Sequence, residues 1–152
     1  MKKLTLIALF LFLTAMCPKG EYKVLKVQDG DTITVEGFDK PIRILGIDAP
    51  ESSYNYKVME QAERYGVSIS KVLKMGEVAK QQAKNILLYK CVRLETDYRD
   101  KGKYGRPLRY VYLQEIDYQD FMLKNEMVFT YCGDKKIMMY DYYNQLSKFK
   151  CK

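Results

Sequence analysis

The sequence contains no histidine and no tryptophan in its 152 residues. Without an imidazole there is no Ser-His-Asp or Cys-His nucleophile system and no His-ligated zinc site. The sequence also lacks a G-x-x-x-x-G-K-[ST] loop and a G-x-G-x-x-G stretch, so neither common nucleotide-binding fingerprint is present. With 47% apolar and 30% charged residues, the chain has the composition and length of one globular domain.

The amino terminus has the pattern of an export signal. Two lysines precede an uncharged apolar run from Leu4 to Met16, which is shorter than the roughly 20 residues that span a bilayer. We predict a signal peptide over residues 1–17 and a mature domain over 20–152, secreted or held in the cell envelope. Two alternatives stay open: Cys17 as a lipid attachment point that anchors the protein to a membrane, or a buried N-terminal helix.

The net charge and the 4 cysteines restrict the possible functions less than the amino terminus does. A net charge of +7 suits nucleic acid, anionic lipid or cell-wall polymer as a partner, or it only maintains solubility. If Cys17 is removed or lipidated, three cysteines remain and one of them stays free. Cys91 lies in an apolar segment and is predicted to be a small core residue, while Cys132 and Cys151 could tie down the carboxyl terminus.

The apolar pattern predicts strands, helices and connections in a defined order. Short β-branched or apolar runs predict strands at 22–27, 32–35, 42–47, 91–94 and 108–113, with a short extended segment at 127–131. Helical spacing predicts helices at 77–88 and 135–150, and Asp117 could cap a third one that ends near residue 125. Residues 51–75 form a long connection with room for a short helix. Five strands with a helix after the third predict an α+β, mainly β fold: a five-stranded OB-type barrel with about three helices.

Three fragments carry most of the candidate chemistry. They are Asp29-Gly30-Asp31-Thr32, the segment from Arg43 to Glu51, and Lys103-Tyr104-Gly105-Arg106. Taken singly, each fragment is also typical of a turn, a strand surface or a solvated loop. Taken together, they supply both the oxygen ligands of a hard metal ion and the cations that a phosphate requires.

The acidic part of this set suits calcium. Asp31 and Asp48 offer carboxylate oxygens, and the backbone carbonyl of Ala49 could be a third donor. Ca²⁺ takes 6–8 oxygen ligands, and backbone carbonyls are among those it accepts.

The basic part suits a phosphodiester. Arg43 and Arg106 carry planar guanidinium groups, which donate to phosphate oxygens in pairs and balance the charge that grows as an oxygen attacks. Glu51 is the remaining carboxylate near this site and could orient or deprotonate a water molecule.

In this order and spacing the fragments resemble the staphylococcal nuclease (thermonuclease) family, and Gly76–Ala79 looks like the start of that family's first helix. The resemblance runs from about Tyr22 to Tyr131. It implies an OB-fold barrel with three helices and a calcium-dependent hydrolase that cuts DNA and RNA with little sequence preference and leaves 3′-phosphates. Three departures from the family are the long connection 52–75, Gln119 and Glu126 where the family usually has Asn and Gly, and the absence of a Gly-Leu-Trp ending.

The resemblance also implies a role for individual residues. The implied calcium site consists of Asp31, Asp48 and the Ala49 carbonyl, with Asp29 as an outer-shell acid. The implied catalytic residues are Arg43, Arg106 and Glu51, and the positions of Lys103 and Tyr104 contact substrate. Tyrosines also alternate with basic residues between 98 and 131, which is typical of a groove for single-stranded or frayed nucleic acid, and we assign Tyr131 to it. Tyr110 and Tyr112 are expected to pack in the barrel instead.

The main hypothesis is therefore an exported, monomeric, calcium-dependent nuclease for DNA and RNA that needs no protein partner. The first alternative is a nucleic-acid-binding OB module that does not cut. The second is an envelope protein that binds anionic lipid or polymer through its basic face.

Overall fold

The computed structural model describes residues 16–151, so the predicted signal peptide lies outside the described residues except at its last two positions. The described part contains eight strands and four helices. In chain order these are β1 (Glu21–Asp29), β2 (Thr32–Val35), β3 (Ile42–Ile44), β4 (Ile47–Asp48), α1 (Tyr56–Tyr65), α2 (Ile69–Leu87), β5 (Cys91–Glu95), β6 (Leu108–Leu113), β7 (Ile116–Asp117), α3 (Tyr118–Lys124), β8 (Phe129–Thr130) and α4 (Tyr140–Leu146).

Five strands close into a barrel. The strand order is β3-β2-β1-β5-β6, and β3 pairs in parallel with β6 to complete the ring. The other neighbours in the ring are antiparallel. β7 extends β6 as a hairpin, and β4 pairs with β8 in a separate two-stranded sheet. The predicted OB-type barrel is confirmed.

The apolar run at 42–47 is interrupted, although it was predicted as one strand. β3 ends at Ile44 and β4 begins at Ile47, because Gly46 adopts a φ of +78° that turns the chain. Left-handed backbone of this kind favours glycine. A Cβ at this position would also lie 2.5 Å from Cδ2 of the buried Tyr143. The break redirects the chain so that Asp48 ends β4 at the mouth of the barrel.

Helix α2 plugs the barrel and starts before its predicted first residue. Ser68 caps it by accepting a hydrogen bond from the backbone N–H of Lys71. Ala79, Ala83 and Leu87 recur every four residues and are fully buried against the barrel interior. The small alanine side chains let the helix lie close to the strands.

The connection 52–75 contains the short helix α1. Asn55 caps α1 by accepting from the N–H of Val58, and Gly66 ends it in the left-handed conformation. Val58 packs with Val72 of α2 and with Phe129 in an apolar cluster beside the main core. Where about three helices were predicted, the structure has four, and α1 is the additional one.

The carboxyl-terminal helix is shorter than predicted. α4 covers Tyr140–Leu146 instead of residues 135–150, although Ile137 and Phe149 outside it are also buried. Apolar residues in the flanking loops therefore extended the helical pattern beyond the helix. In contrast, α3 begins as predicted after its cap Asp117, whose carboxylate accepts from the N–H of Asp120.

All four cysteines are paired, as Cys17–Cys91 and Cys132–Cys151. The suggested link between Cys132 and Cys151 is present. The predictions that Cys91 is a core thiol and that one cysteine stays free are wrong. The start of β1 pairs with the start of β5, which brings the preceding Cys17 to Cys91 with a Cα–Cα distance of 5.5 Å, a separation suited to a disulfide. Within residues 16–151, no helix is long and apolar enough to cross a membrane.

Candidate active site

The three predicted fragments converge at one end of the barrel. The turn after β1 carries Asp29 and Asp31, and β2 begins directly after it. Arg43 of β3 pairs with Thr32 on one side and with Leu108 on the other, so barrel closure places it between the other two fragments.

Asp31 is the centre of the acidic cluster and is only 7% exposed. Its Oδ2 accepts from the N–H of Ala49 at 2.6 Å and lies 3.0 Å from the Arg43 guanidinium, and its Oδ1 accepts from the Thr32 hydroxyl at 2.8 Å. Asp29 adjoins it, because Asp29 Oδ1 accepts from the N–H of Asp31 at 3.1 Å. Asp29, Asp31 and the segment that carries Ala49 are therefore brought together, and the Arg43 guanidinium lies between Asp31 and Asp48.

Two carboxyl groups of the cluster have raised pKa values. Burial, and then the charge of Asp31, raise the pKa of the Asp29 carboxyl to about 6. Burial and the Asp31 charge also raise the pKa of Asp48, although Arg43 and a hydrogen bond from Gln61 act in the opposite direction. A cation bound among these carboxylates would favour their ionised forms and so lower both pKa values.

Arg43 is held in place on several sides. Its guanidinium lies 3.0 Å from Asp31 and 3.7 Å from Asp48, donates to the backbone carbonyl of Ile44 at 2.9 Å, and lies 5.3 Å above the ring of Tyr131. Because the side chain is only 15% exposed, few other positions are open to the guanidinium. A phosphate at this end of the barrel would meet a guanidinium whose position is already set.

Arg106 faces the same space from the other side. Both arginines line one polar cavity with Asp31 and Glu51, and both line a neighbouring cavity with Tyr131. The two predicted catalytic arginines thus border the carboxylates in one continuous region.

The predicted substrate residues surround the second cavity. Lys103, Tyr104 and Tyr131 all line it, and Tyr104 is 73% exposed. The loop that carries the first two is tied to the segment after β8, because the Tyr98 hydroxyl donates to Asp134 at 2.7 Å. Tyr110 is buried in the barrel as expected, and Tyr112 is half-buried.

Sequence reasoning missed the contribution of α1. Its residues Lys57, Gln61 and Tyr65 lie four positions apart, and all three contact the predicted site. Asn55, the cap of the same helix, donates to Glu51 Oε2 at 2.8 Å. The spacing itself was a usable signal, because residues four apart share one face of a helix.

The donor set fits calcium. Asp31 and Asp48 supply carboxylate oxygens and Ala49 a carbonyl oxygen, all hard donors of the kind that Ca²⁺ takes together with water. Gln28 lines the polar cavity that Asp31 and Ala49 also line, and its buried Oε1 has no hydrogen-bond donor in the described part of the chain. Among the described residues no three His, Cys, Asp or Glu side chains converge on one point, so backbone carbonyl and water oxygens would have to complete the coordination.

The chain is similar in sequence to a known family and to several known proteins. A model of the family described as "Staphylococcal nuclease homologue" matches residues 41–152. The chain is 34% identical over 105 residues to the thermonuclease of Staphylococcus hyicus, covering 68% of this chain and 54% of the relative. It is 38% identical over 98 residues to the thermonuclease of Staphylococcus intermedius, covering 62% and 51%. An uncharacterised protein of Methanocaldococcus jannaschii is 35% identical over 116 residues, covering 67% and 55%. The chain spans about half the length of the curated relatives it matches.

Proposed function

The chain belongs to the staphylococcal nuclease family, and from that premise we propose that it is an exported, calcium-dependent nuclease. It hydrolyses phosphodiester bonds of DNA and RNA with little sequence preference and leaves 3′-phosphates. The observation that carries the proposal is one polar cavity lined by the carboxylates of Asp31 and Glu51 and by both arginines, Arg43 and Arg106, with Arg43 also 3.7 Å from Asp48.

The metal would be held by Asp31, Asp48 and the carbonyl of Ala49. When bound, calcium supplies a Lewis acid and a template for the phosphate. Asp29 supports this set from outside, since its carboxylate orients the backbone N–H of Asp31.

The two arginines stabilise charge on the phosphate. Each guanidinium can donate two parallel hydrogen bonds to phosphate oxygens, and these bonds strengthen as the group gains negative charge. Because the Ile44 carbonyl and the Tyr131 ring also hold Arg43, little reorganisation is needed when a phosphate arrives.

Glu51 orients the attacking water and accepts its proton. Its two carboxylate oxygens are fixed separately: Oε1 lies 3.2 Å from the Lys57 ammonium, and Oε2 accepts from Asn55 at 2.8 Å. These contacts hold the carboxylate beside the cavity that Arg43 and Arg106 also line.

Bases next to the cut phosphate stack on Tyr104 and Tyr131, and Lys103 contacts the backbone of the nucleic acid. Stacking on an aromatic ring contributes roughly 1–3 kcal/mol per base and tolerates every base. This supports low sequence preference and a substrate that is single-stranded or locally opened.

Disulfide usage supports export. All four cysteines are bonded in pairs, and such bonds persist in oxidising compartments. A thioether-linked lipid on Cys17 and the Cys17–Cys91 bond exclude each other, because both use the same sulfur. We therefore place the end of the signal peptide before Cys17, instead of at residue 17 as the sequence predicts, and propose that Cys17 carries no lipid.

Digestion assays test the proposal. The oxidised protein is incubated with plasmid, single-stranded DNA and RNA in Ca²⁺ and in EGTA, beside an Asp31→Ala/Asp48→Ala variant. We expect cutting that needs Ca²⁺, is lost in the double variant, and leaves ends that polymerases extend only after phosphatase treatment. Binding without cutting would favour the non-catalytic OB module, and cutting that survives both EGTA and the double variant would contradict the metal site.

A further inference from the structure

Gln61 lies in the middle of α1 and is only 4% exposed. Its carboxamide makes three hydrogen bonds, and all three go to the segment that ends β4 and follows it. Nε2 donates to Asp48 Oδ2 at 3.1 Å and to the Ala49 carbonyl at 2.9 Å, while Oε1 accepts from the backbone N–H of Glu51 at 2.9 Å. Both N–H donors of the side chain are therefore used.

The partners determine the orientation of this carboxamide. The backbone N–H of Glu51 is a donor and requires the amide oxygen, whereas the Asp48 carboxylate and the Ala49 carbonyl are acceptors and require the nitrogen. A carboxamide turned by 180° would lose all three bonds. Gln61 therefore holds the Asp48 carboxylate, the Ala49 carbonyl and the backbone at Glu51 in one arrangement.

α1 is fixed firmly enough to act as the support. Val58 is fully buried against Val72 and Phe129, and the ring of Tyr65 stacks on Phe129 with centroids 4.0 Å apart. The Tyr65 hydroxyl also lies 3.3 Å from Asp48 Oδ2. The helix thus reaches the same carboxylate oxygen from two successive turns.

We propose that Gln61 is a positioning residue for the calcium site. It sets the direction of the Asp48 carboxylate and of the Ala49 carbonyl before the ion binds, so binding requires less reordering of these oxygens. Asp48 Oδ1 and the second lone pair of the Ala49 oxygen are not used by Gln61. The inference depends on the proposed function, because it presupposes that these oxygens bind calcium.

The test compares Gln61→Leu with the parent and with Glu63→Gln, a matched change at an exposed position of the same helix. Calorimetric titration with Ca²⁺ gives the calcium Kd, thermal unfolding in EGTA gives stability without metal, and digestion at increasing Ca²⁺ gives the half-saturating concentration and kcat. We expect a calcium Kd raised about 10- to 100-fold in Gln61→Leu, with kcat at saturating Ca²⁺ within about threefold of the parent. Glu63→Gln should match the parent.

If Gln61→Leu does not fold, Gln61→Met takes its place, because its unbranched side chain fills a similar volume without the hydrogen bonds. A calcium Kd within twofold of the parent, even with lower stability in EGTA, would overturn the positioning role. A parent that binds no calcium would overturn the proposed metal site and this inference together. A parent that binds calcium and digests DNA, beside a Gln61 variant that binds it equally well, would overturn only the inference.

Discussion

Replacing Gly76 by alanine should harm this protein, although the same change stabilises most helices. Gly76 lies inside α2, where the helix passes over the backbone of Pro50 and Glu51. A Cβ at this position would lie 2.5 Å from the carbonyl carbon of Glu51, closer still to its oxygen, and 2.7 Å from the Pro50 oxygen. These are backbone atoms, so rotation of a side chain cannot relieve the contact.

Two opposing effects set the size of the change. Alanine in a helix interior gains about 0.8–1.0 kcal/mol over glycine. Overpacking typically costs about 1–3 kcal/mol, and a rigid backbone partner favours the upper part of that range. We expect a net loss of about 1.5 kcal/mol in the free energy of unfolding. With an unfolding entropy of roughly 0.3 kcal/mol/K for about 135 residues, Tm should fall by about 5 °C.

The Gly76→Ala change should also lower kcat strongly. Restoring a contact distance of roughly 3.5 Å requires the backbone at Glu51 to move by about 1 Å, and a misplacement of that size can cost about 100-fold in rate. The assays are thermal unfolding and kcat at saturating Ca²⁺, with the exposed neighbour change Glu77→Ala as the control. A Gly76→Ala variant that is more stable than the parent and equally active would refute the argument.

Three further predictions concern other parts of the molecule. Arg106→Lys should lower kcat/KM at least 100-fold with unchanged stability, because lysine cannot make the paired hydrogen bonds; activity within a few-fold of the parent would remove the assigned role. Cys91→Ser should lower the free energy of unfolding by about 2–4 kcal/mol in urea titrations and leave the Cys17 thiol open to alkylation, which the oxidised parent resists. Burial alone would raise the pKa of Asp97, but hydrogen bonds, first from the Tyr110 hydroxyl, lower it below the ordinary 3.8. Asp97→Asn should therefore lower the free energy of unfolding at pH 7. This difference in free energy between variant and parent should shrink as the pH falls below about 4.

Local signals predicted most of the barrel. β2 and β6 have their predicted bounds, and α3 begins after its cap Asp117, because alternation and capping act between residues that are close in the chain. The turn at Gly46 depends on its packing against Tyr143, a residue that is distant in sequence. The partner of Cys17 depends likewise on which strand lies beside β1, and that follows only from the closed topology.

The candidate site also has a part that the sequence predicted and a part that depends on residues distant in the chain. The acids and arginines could be proposed from the sequence because three short fragments, each unspecific alone, together supply metal ligands and phosphate-binding cations. The role of α1 was not predicted, because the spacing places Lys57, Gln61 and Tyr65 on one face but does not say what that face contacts. A buried polar residue on a helix face is explained only once its hydrogen-bond partners are known, and here these partners lie 10 to 13 positions earlier in the chain.

The position of Arg43 couples the two ligands that the proposed reaction needs. Its guanidinium is paired with Asp31 at 3.0 Å and lies 3.7 Å from Asp48, the same carboxylates that are proposed to hold calcium. Arg43 loses most of this attraction once a divalent cation balances the two carboxylates, and its N–H groups then become available to a phosphate. By linkage, a nucleotide bisphosphate should tighten calcium binding by the same factor by which calcium tightens nucleotide binding, about fivefold or more. Titrations of each ligand in the presence of the other measure both factors, and independent binding would show that Arg43 does not link the two sites.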